Sequence, residues 1–430
     1  MSTTLPVLSV LGMELPCPPE WDITSGPGGT EIIAHPPVPS GHFRPNLVLR
    51  RMRVAESLPR LSTAALAATL QLPKTYIFAN DLWTQSPGSE GEPTHGRRQR
   101  FVREAEGQVV CTDRWLFSDG TDAVEATASY AVEQSVGMRP LFEHMVAGLR
   151  RREPVAETSA DPGIGAVAPA EPRLDSQATQ LFGEPVEDVV PLRETQPYRV
   201  SGTVLSRAAG ELFLSMSKRD RLGPFDRSGN RAAVAELVGA GLLTDAGRLT
   251  SRGLAYVAPL RTGASVVDFH AVGGAVSTGV RAWLGGGPAL AWAGPSPALS
   301  GEPPQDRFEL RLGDAAALPG ELAGWAGLAP SWSSTAEPVL MSEESFGRRV
   351  SGTREPAPAG VPASLWSAPW TAWNLGLNGT GQLSVLSAGN AGYFRITASE
   401  GMIRLVPEQA GDVWDLLLEI IHRAVEGSWR

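Results

Sequence analysis

Cysteine is nearly absent from this chain. Cys17 and Cys111 are the two present, so a disulfide framework is excluded, and two free thiols suit a reducing compartment. Lysine is as scarce: Lys74 and Lys218 are the lysines, and arginine supplies the remaining positive charge. The formal net charge is −9, which disfavours a general affinity for nucleic acid or an anionic membrane. No apolar run approaches the roughly 18 residues that a membrane span requires. The opening residues 1–17 lack a basic stretch, and Glu14 and Pro16 break their apolar run before Cys17. A signal peptide or lipid anchor is therefore not expected, and the expectation is a soluble cytoplasmic protein.

Signatures of catalysis and metal binding are missing as well. The chain holds no Gly-x-Ser-x-Gly, no His-Glu-x-x-His and no paired Cys-x-x-Cys. The Gly273–Gly279 run superficially resembles a phosphate loop, but it lacks the lysine and hydroxyl that would meet phosphate and metal. The histidines are scattered, and His35 and His42 sit on a proline-rich loop that offers no preformed metal geometry. No enzyme activity, no cofactor and no metal are expected.

What is present reads as an α+β protein. At 430 residues, about two or three domains are expected at roughly 150 residues each. Residues 1–150 read as the first. Strands are expected at Val7–Leu15, Glu31–Ala34, Asn46–Val54, Arg97–Ala105, Gln108–Phe117 and Ala123–Glu133, with helices at Ser62–Leu72 and Ser135–Arg150. Residues 151–196 are rich in Pro, Ala and acidic side chains without apolar periodicity, as a flexible linker would be. Within them Gln180–Leu192 reads as a strip that docks on a domain. Residues 197–430 form the second domain. Its centre of interest is Arg231–Leu260, a helix-turn-helix in which Val234, Leu237 and Val238 line one helical face and Leu254, Val257 and Ala258 another, ended by Pro259. Strands follow at Ser265–Ala271, Thr278–Leu284, Pro288–Ala293 and Arg307–Leu312, then a helix over Ala315–Gly327. The Asn378-Gly379 pair is the strongest hairpin signal, and a final helix buries Val413, Leu417, Ile420 and Ala424.

Two resemblances attach to these stretches. Pro18-Pro19-Glu20-Trp21 and Phe43-Arg44-Pro45-Asn46-Leu47-Val48-Leu49 are similar to the LpqN-type branch of the PsbP-like fold, over about residues 5–150. That resemblance implies an antiparallel sheet with helices and a role in binding other proteins. Ala233-Val234-Ala235-Glu236-Leu237, Gly241-Leu242-Leu243, Gly247-Arg248-Leu249, Leu318-Pro319, Gly392-Tyr393-Phe394-Arg395-Ile396 and Leu405-Val406-Pro407 resemble the EspG-type chaperones of type VII (ESX) secretion, over most of 200–426. It implies a mixed sheet flanked by helices and a non-enzymatic cytosolic adaptor for a small helical secreted partner. The functional expectation depends on that sheet.

Trp366, Trp370, Trp373, Trp283 and Trp292 are the candidate partner-binding residues. Core packing is the first reading of such aromatics; an apolar shelf for a partner helix is the second. A DNA-binding regulator is the alternative from another class. Gly241-Leu242-Leu243 and Leu249-Thr250-Ser251-Arg252-Gly253 resemble the end of a winged helix within 231–258, and Lys218, Arg219, Arg221, Arg227 and Arg231 lie upstream. Against it, the stretch between the two halves is too short for a two-stranded wing, and Asp220 and Asp226 interrupt the basic run. Nucleic acid is not the expected partner.

Overall fold

The computed structural model describes residues 5–54, 56–85, 94–119, 121–151, 196, 202–262, 265–274, 276–285, 287–298, 306–331 and 337–428. The chain divides into two units, Met1–Thr195 and Gln196–Arg430. The linker expected at 151–196 and its docking strip Gln180–Leu192 lie outside the described residues, apart from the ends at Arg151 and Gln196.

In the first unit β1 (Val7–Val10), β2 (Met13–Pro16) and a later β10 (Arg150–Arg151) make a small sheet. The main sheet is antiparallel and seven-stranded. Its strands are β3 (Asp22–Ser25), β4 (Thr30–Ala34), β5 (Asn46–Arg53), β6 (Thr75–Gln85), β7 (Thr94–Ala105), β8 (Gln108–Ser118) and β9 (Asp122–Ala131), in the order β3-β4-β5-β9-β8-β7-β6. Helix α1 (Leu58–Leu70) and helix α2 (Ser135–Ala147) cover opposite faces. Alternation along β7 shows this directly: Gln99 donates to the Ser62 carbonyl on α1 at 2.8 Å, while Arg100 donates to Glu143 on α2 at 2.8 Å. Strand β6 was not expected from the sequence, because Asn80 and Asp81 break its apolar pattern. Both are buried, and Asn80 accepts from Ser62. Arg100, 1% exposed, is held between Asp113 and Glu143, and the Tyr130 hydroxyl donates to Asp113 at 2.5 Å.

The second unit is built on one ten-stranded sheet with an internal repeat. The first half runs β11 (Thr203–Ser206), α3 (Arg207–Leu214), α4 (Pro224–Gly229), α5 (Arg231–Gly239), α6 (Ser251–Arg261), β12 (Ser265–Gly273), β13 (Val276–Leu284), β14 (Pro288–Ala293), β15 (Arg307–Asp314) and α7 (Leu318–Ala326). The second half runs β16 (Val339–Ser342), α8 (Glu343–Val350), α9 (Ala363–Ser367), β17 (Thr371–Leu377), β18 (Thr380–Ser387), β19 (Tyr393–Ser399), β20 (Met402–Glu408) and α10 (Ala410–Ser428). The spatial order β11-β15-β14-β13-β12-β17-β18-β19-β20-β16 places the halves about a pseudo-two-fold between β12 and β17. Each half begins with an edge strand that runs into a helix capped by a serine: Ser206 accepts from the Ala209 amide, and Ser342 from the Ser345 amide.

The resemblance to EspG-type chaperones implied a mixed sheet. Every strand pairing described in this unit is antiparallel instead. The reason is connectivity. Several neighbours are joined by tight turns, among them Asn378-Gly379 and Glu400-Gly401 with positive φ at both residues, and such turns permit only antiparallel pairing. The long crossovers over 207–262 and 343–370 run from an edge to the centre, so the strands they connect are not neighbours.

Two further expectations change at the helix-turn-helix. Pro259 does not end α6, which continues to Arg261; the proline sits in its last turn and is itself buried. A short hairpin does form between α5 and α6. Leu243 bridges Leu249, the Thr244 amide donates to the Arg248 carbonyl at 2.8 Å, and Gly247 at φ +70° turns the chain. Arg221 joins it through an isolated antiparallel bridge to Arg248. Ala233, Leu237, Leu242, Leu243, Leu249 and Val257 are buried together beneath it.

Candidate functional site

The site lies on one face of the second unit's sheet. Along β12, Val267, Phe269 and Ala271 are buried, and they alternate with Asp268 and His270 on the other face. The buried side is closed by α7 and α10: Trp325 of α7 lies 5.4 Å from the Phe269 ring, and Val413, Leu417, Ile420 and Ala424 of α10 are buried. The opposite face is covered at its two ends only. Helices α3, α5 and α6 pack on Leu290 and Leu310 at one end. At the other, Leu365 and Trp366 of α9, Val350 of α8 and the nearby Trp370 pack on Ala372, Leu386 and Phe394. The strands between are left open as a trough of about 700 Å³.

The trough floor is polar and largely self-paired. Arg281 donates from Nε to Asp268 at 2.6 Å, directly across the β12–β13 ladder. His270 Nε2 and Ser277 Oγ lie 3.1 Å apart. On the neighbouring strands Ser384 donates to Asn374 at 2.5 Å, and Asn374 stands opposite His270. Gly279, opposite His270 on β13, presents no side chain and keeps the floor low. The wall is aromatic. Trp292 stacks on Phe308 at 4.8 Å and 11°, and the Arg207 guanidinium lies 4.5 Å over the same Phe308 ring. Trp283 and Glu211 complete that side. A Cβ at Gly210 would collide with the Trp292 ring, so glycine on α3 is what lets this tryptophan seat against the helix.

The Ser277–His270 contact is the nearest approach to nucleophile chemistry in the trough. Its partner carboxylate is engaged elsewhere, since Asp268 is held by Arg281, and no hydrogen bond orients His270 Nδ1 among the described residues. The third member of a triad is therefore not in place. Among the described residues no group of three or more His, Cys, Asp or Glu side chains is arranged to hold a metal.

The five tryptophans singled out from the sequence do not form one surface. Trp366, Trp370 and Trp373 are 7%, 4% and 1% exposed. The Trp366 and Trp370 indoles donate to the Glu355 and Leu365 carbonyls, and Arg349 lies over both rings. Trp373 points to the other side of the sheet, edge-on to Phe269 at 5.1 Å. Trp283 and Trp292 do come together, in the trough wall. Sequence reasoning missed Asp268, His270, Ser277, Arg281, Arg207 and Phe308. A signal for the first two was present: polar residues at alternate positions of an otherwise apolar strand mark an uncovered face.

No helix among the described residues is long and apolar enough to cross a membrane. No family model matches the chain, and no curated protein matches it. Solved structures resemble it weakly. A protein from Bacteroides thetaiotaomicron matches at 14% identity and a TM-score of 0.25, over 35% of this chain and 50% of its own; the chain thus spans about half of that protein's length. LpqN of Mycobacterium tuberculosis, described as involved in cell envelope biogenesis, matches at 12% identity and a TM-score of 0.25, over 32% of this chain and 81% of LpqN. PsbP from Synechocystis matches at 13% identity and a TM-score of 0.22, over 34% of this chain and 92% of PsbP.

Proposed function

We propose that this protein is a non-catalytic adaptor whose second unit holds an amphipathic helical segment of a partner polypeptide in the trough. The observation that carries the reading is the wall of Trp283, Trp292 and Phe308 beside Arg207 and Arg281. Tryptophan and arginine are the residue types that dominate the energetics of protein interfaces. The floor pairs Asp268 with Arg281 and His270 with Ser277. Covering groups that already have partners leaves few of them unsatisfied. A helix fits better than an added strand, because β12 and β13 are central strands already paired on both sides and offer no free edge. Apolar burial at about 25 cal/mol per Å² supplies the drive, before association costs.

In its finer form the partner is a small helical protein held in the cytoplasm before export through a type VII system. That form rests only on the sequence resemblance of 200–426 to EspG-type chaperones, without the mixed sheet that the resemblance implied. The test is co-expression with the products of neighbouring genes, followed by purification of the wild type and of Ser277→Trp. Ser277 is exposed on the trough floor, so the bulkier side chain fills the trough without entering the core. The expected result is a defined helical partner that remains bound to the wild type and is lost from the variant at unchanged thermal stability. Equal retention by both, or no partner, contradicts the reading.

A further inference from the structure

The segment from α3 to α6 has an order of elements that its role in covering the sheet does not require. Helix α3 is followed by a bridge residue at Arg221, helices α4 and α5, a bridge residue at Leu243, a tight turn and a bridge residue at Leu249. Arg221 bridges Arg248, whose carbonyl accepts from the Thr244 amide, and Leu249 bridges Leu243. This is a helix-turn-helix with a minimal wing, closed over Phe213, Leu222, Leu237 and Leu249 in a core that it shares with Leu290 and Leu310 of the sheet.

Its exposed side concentrates unneutralised positive charge. Arg221 and Arg248 are directly opposed in an antiparallel bridge, and both are exposed. Like charges facing one another across a ladder are destabilising unless an anion lies between them. The Arg227 stem lies against Gly247 at the turn, and exposed Arg231 opens α5. None of these four arginines forms an ion pair among the described residues. The neighbouring cations differ: Arg219 is tied to Asp226 at 2.6 Å and Arg261 to Asp220 at 2.8 Å. The two aspartates that interrupt the basic run in the sequence are thereby neutralised from within, and the exposed Asp245 in the turn is the acidic group left on the hairpin. A local basic face thus stands on a chain whose net charge is −9.

We propose that this face binds the phosphate backbone of duplex DNA, with α5 toward the major groove and the 243–249 hairpin along the adjoining backbone. The exposed face of α5 carries Arg231, Ala232 and Ala235. Short side chains let a helix approach the groove closely but read few base edges. Binding is therefore electrostatic and weakly sequence-dependent.

The test is fluorescence anisotropy of the full chain with a short labelled duplex across a series of salt concentrations. Four phosphate contacts give a log–log salt slope of roughly −3.6. The double variant Arg221→Ala/Arg248→Ala loses about tenfold in affinity and about two units of slope. The charge-matched control Arg354→Ala/Arg404→Ala, on the other half of the unit, keeps both. Thermal unfolding of each variant verifies that it is folded. No duplex binding at low salt, equal losses in both double variants, or binding confined to anionic lipid vesicles overturns the proposal. A preference for single strands that depends on Phe225, which is 90% exposed on α4, overturns it too, because stacking on one aromatic is a single-strand mode.

Discussion

Gly210 and Trp292 show how the trough wall depends on an atom that is missing. The Trp292 ring occupies the space that a Cβ on α3 would take, and from that seat it stacks on Phe308. Gly210→Ala is expected to cost about 1–3 kcal/mol, the usual range for overpacking, and to weaken partner binding by displacing the indole. Urea denaturation followed by tryptophan fluorescence measures the first effect, and a change near zero would contradict this packing. Cys17 makes a pH-dependent prediction. Burial, with a smaller contribution from Glu20, pushes its thiol from the ordinary 9.0 up to about 11. The thiol therefore stays protonated at pH 8 in the folded protein and should alkylate more slowly than the same thiol in urea. The linkage has a definite sign: the folded pKa is raised, so this contribution is complete below pH 9.0 and disappears as the pH rises through about 11. Cys17→Ser should flatten that alkaline loss, and a thiol that reacts equally fast in both states would refute the assignment.

At the scale of elements, the repeat in the second unit is a matter of matched devices. Ser206 and Ser342 each cap the helix that leaves an edge strand. Replacing either with alanine should cost about 1 kcal/mol. Ser206→Ala should cost more, because its hydroxyl also donates to the Glu236 carboxylate at 2.6 Å, a charge-assisted bond, whereas that of Ser342 donates to the neutral Ser345 hydroxyl at 3.0 Å. Calorimetry on the two variants checks the ranking, and a larger loss at Ser342 would argue against equivalent roles. The Asn378-Gly379 hairpin was legible in the sequence because both residues accept positive φ. The last helix was legible from its periodic apolar face. Strand β6 was not, since its polar centre at Asn80 and Asp81 is buried by partners that come from elsewhere in the chain. Nor was the repeat: strands β11 and β16 are each four residues long, too short to carry a period. The tryptophan run at 366–373 misled for a similar reason. Trp370 and Trp373 are an odd number of residues apart where the chain enters β17, and the pleat sends an odd separation to opposite faces.

Across the whole second unit, the pseudo-two-fold gives the trough its setting. Two helical layers, one from each half, cover the ends of one sheet face and leave the β12 and β13 strands between them open. A sequence pattern reports which side of a strand faces a core, but not which part of a wide sheet a distant helix leaves bare. The floor residues Asp268 and His270 were within reach of sequence reasoning, whereas Arg207 and Phe308 come from separate elements that meet only in the fold. The absence of parallel pairs among the described residues of this unit removes the sheet type that the EspG resemblance implied. The adaptor reading consequently rests on the trough's own chemistry. The most direct measurement is site-specific photo-crosslinking, with the reactive residue placed at Ser277 in the trough or, as a control, at the exposed Arg354, and the adduct mapped by mass spectrometry. The account expects one defined helical segment of one co-expressed partner to crosslink at Ser277 and not at Arg354. Adducts at both positions alike, or none at Ser277 while the partner remains bound, would contradict it.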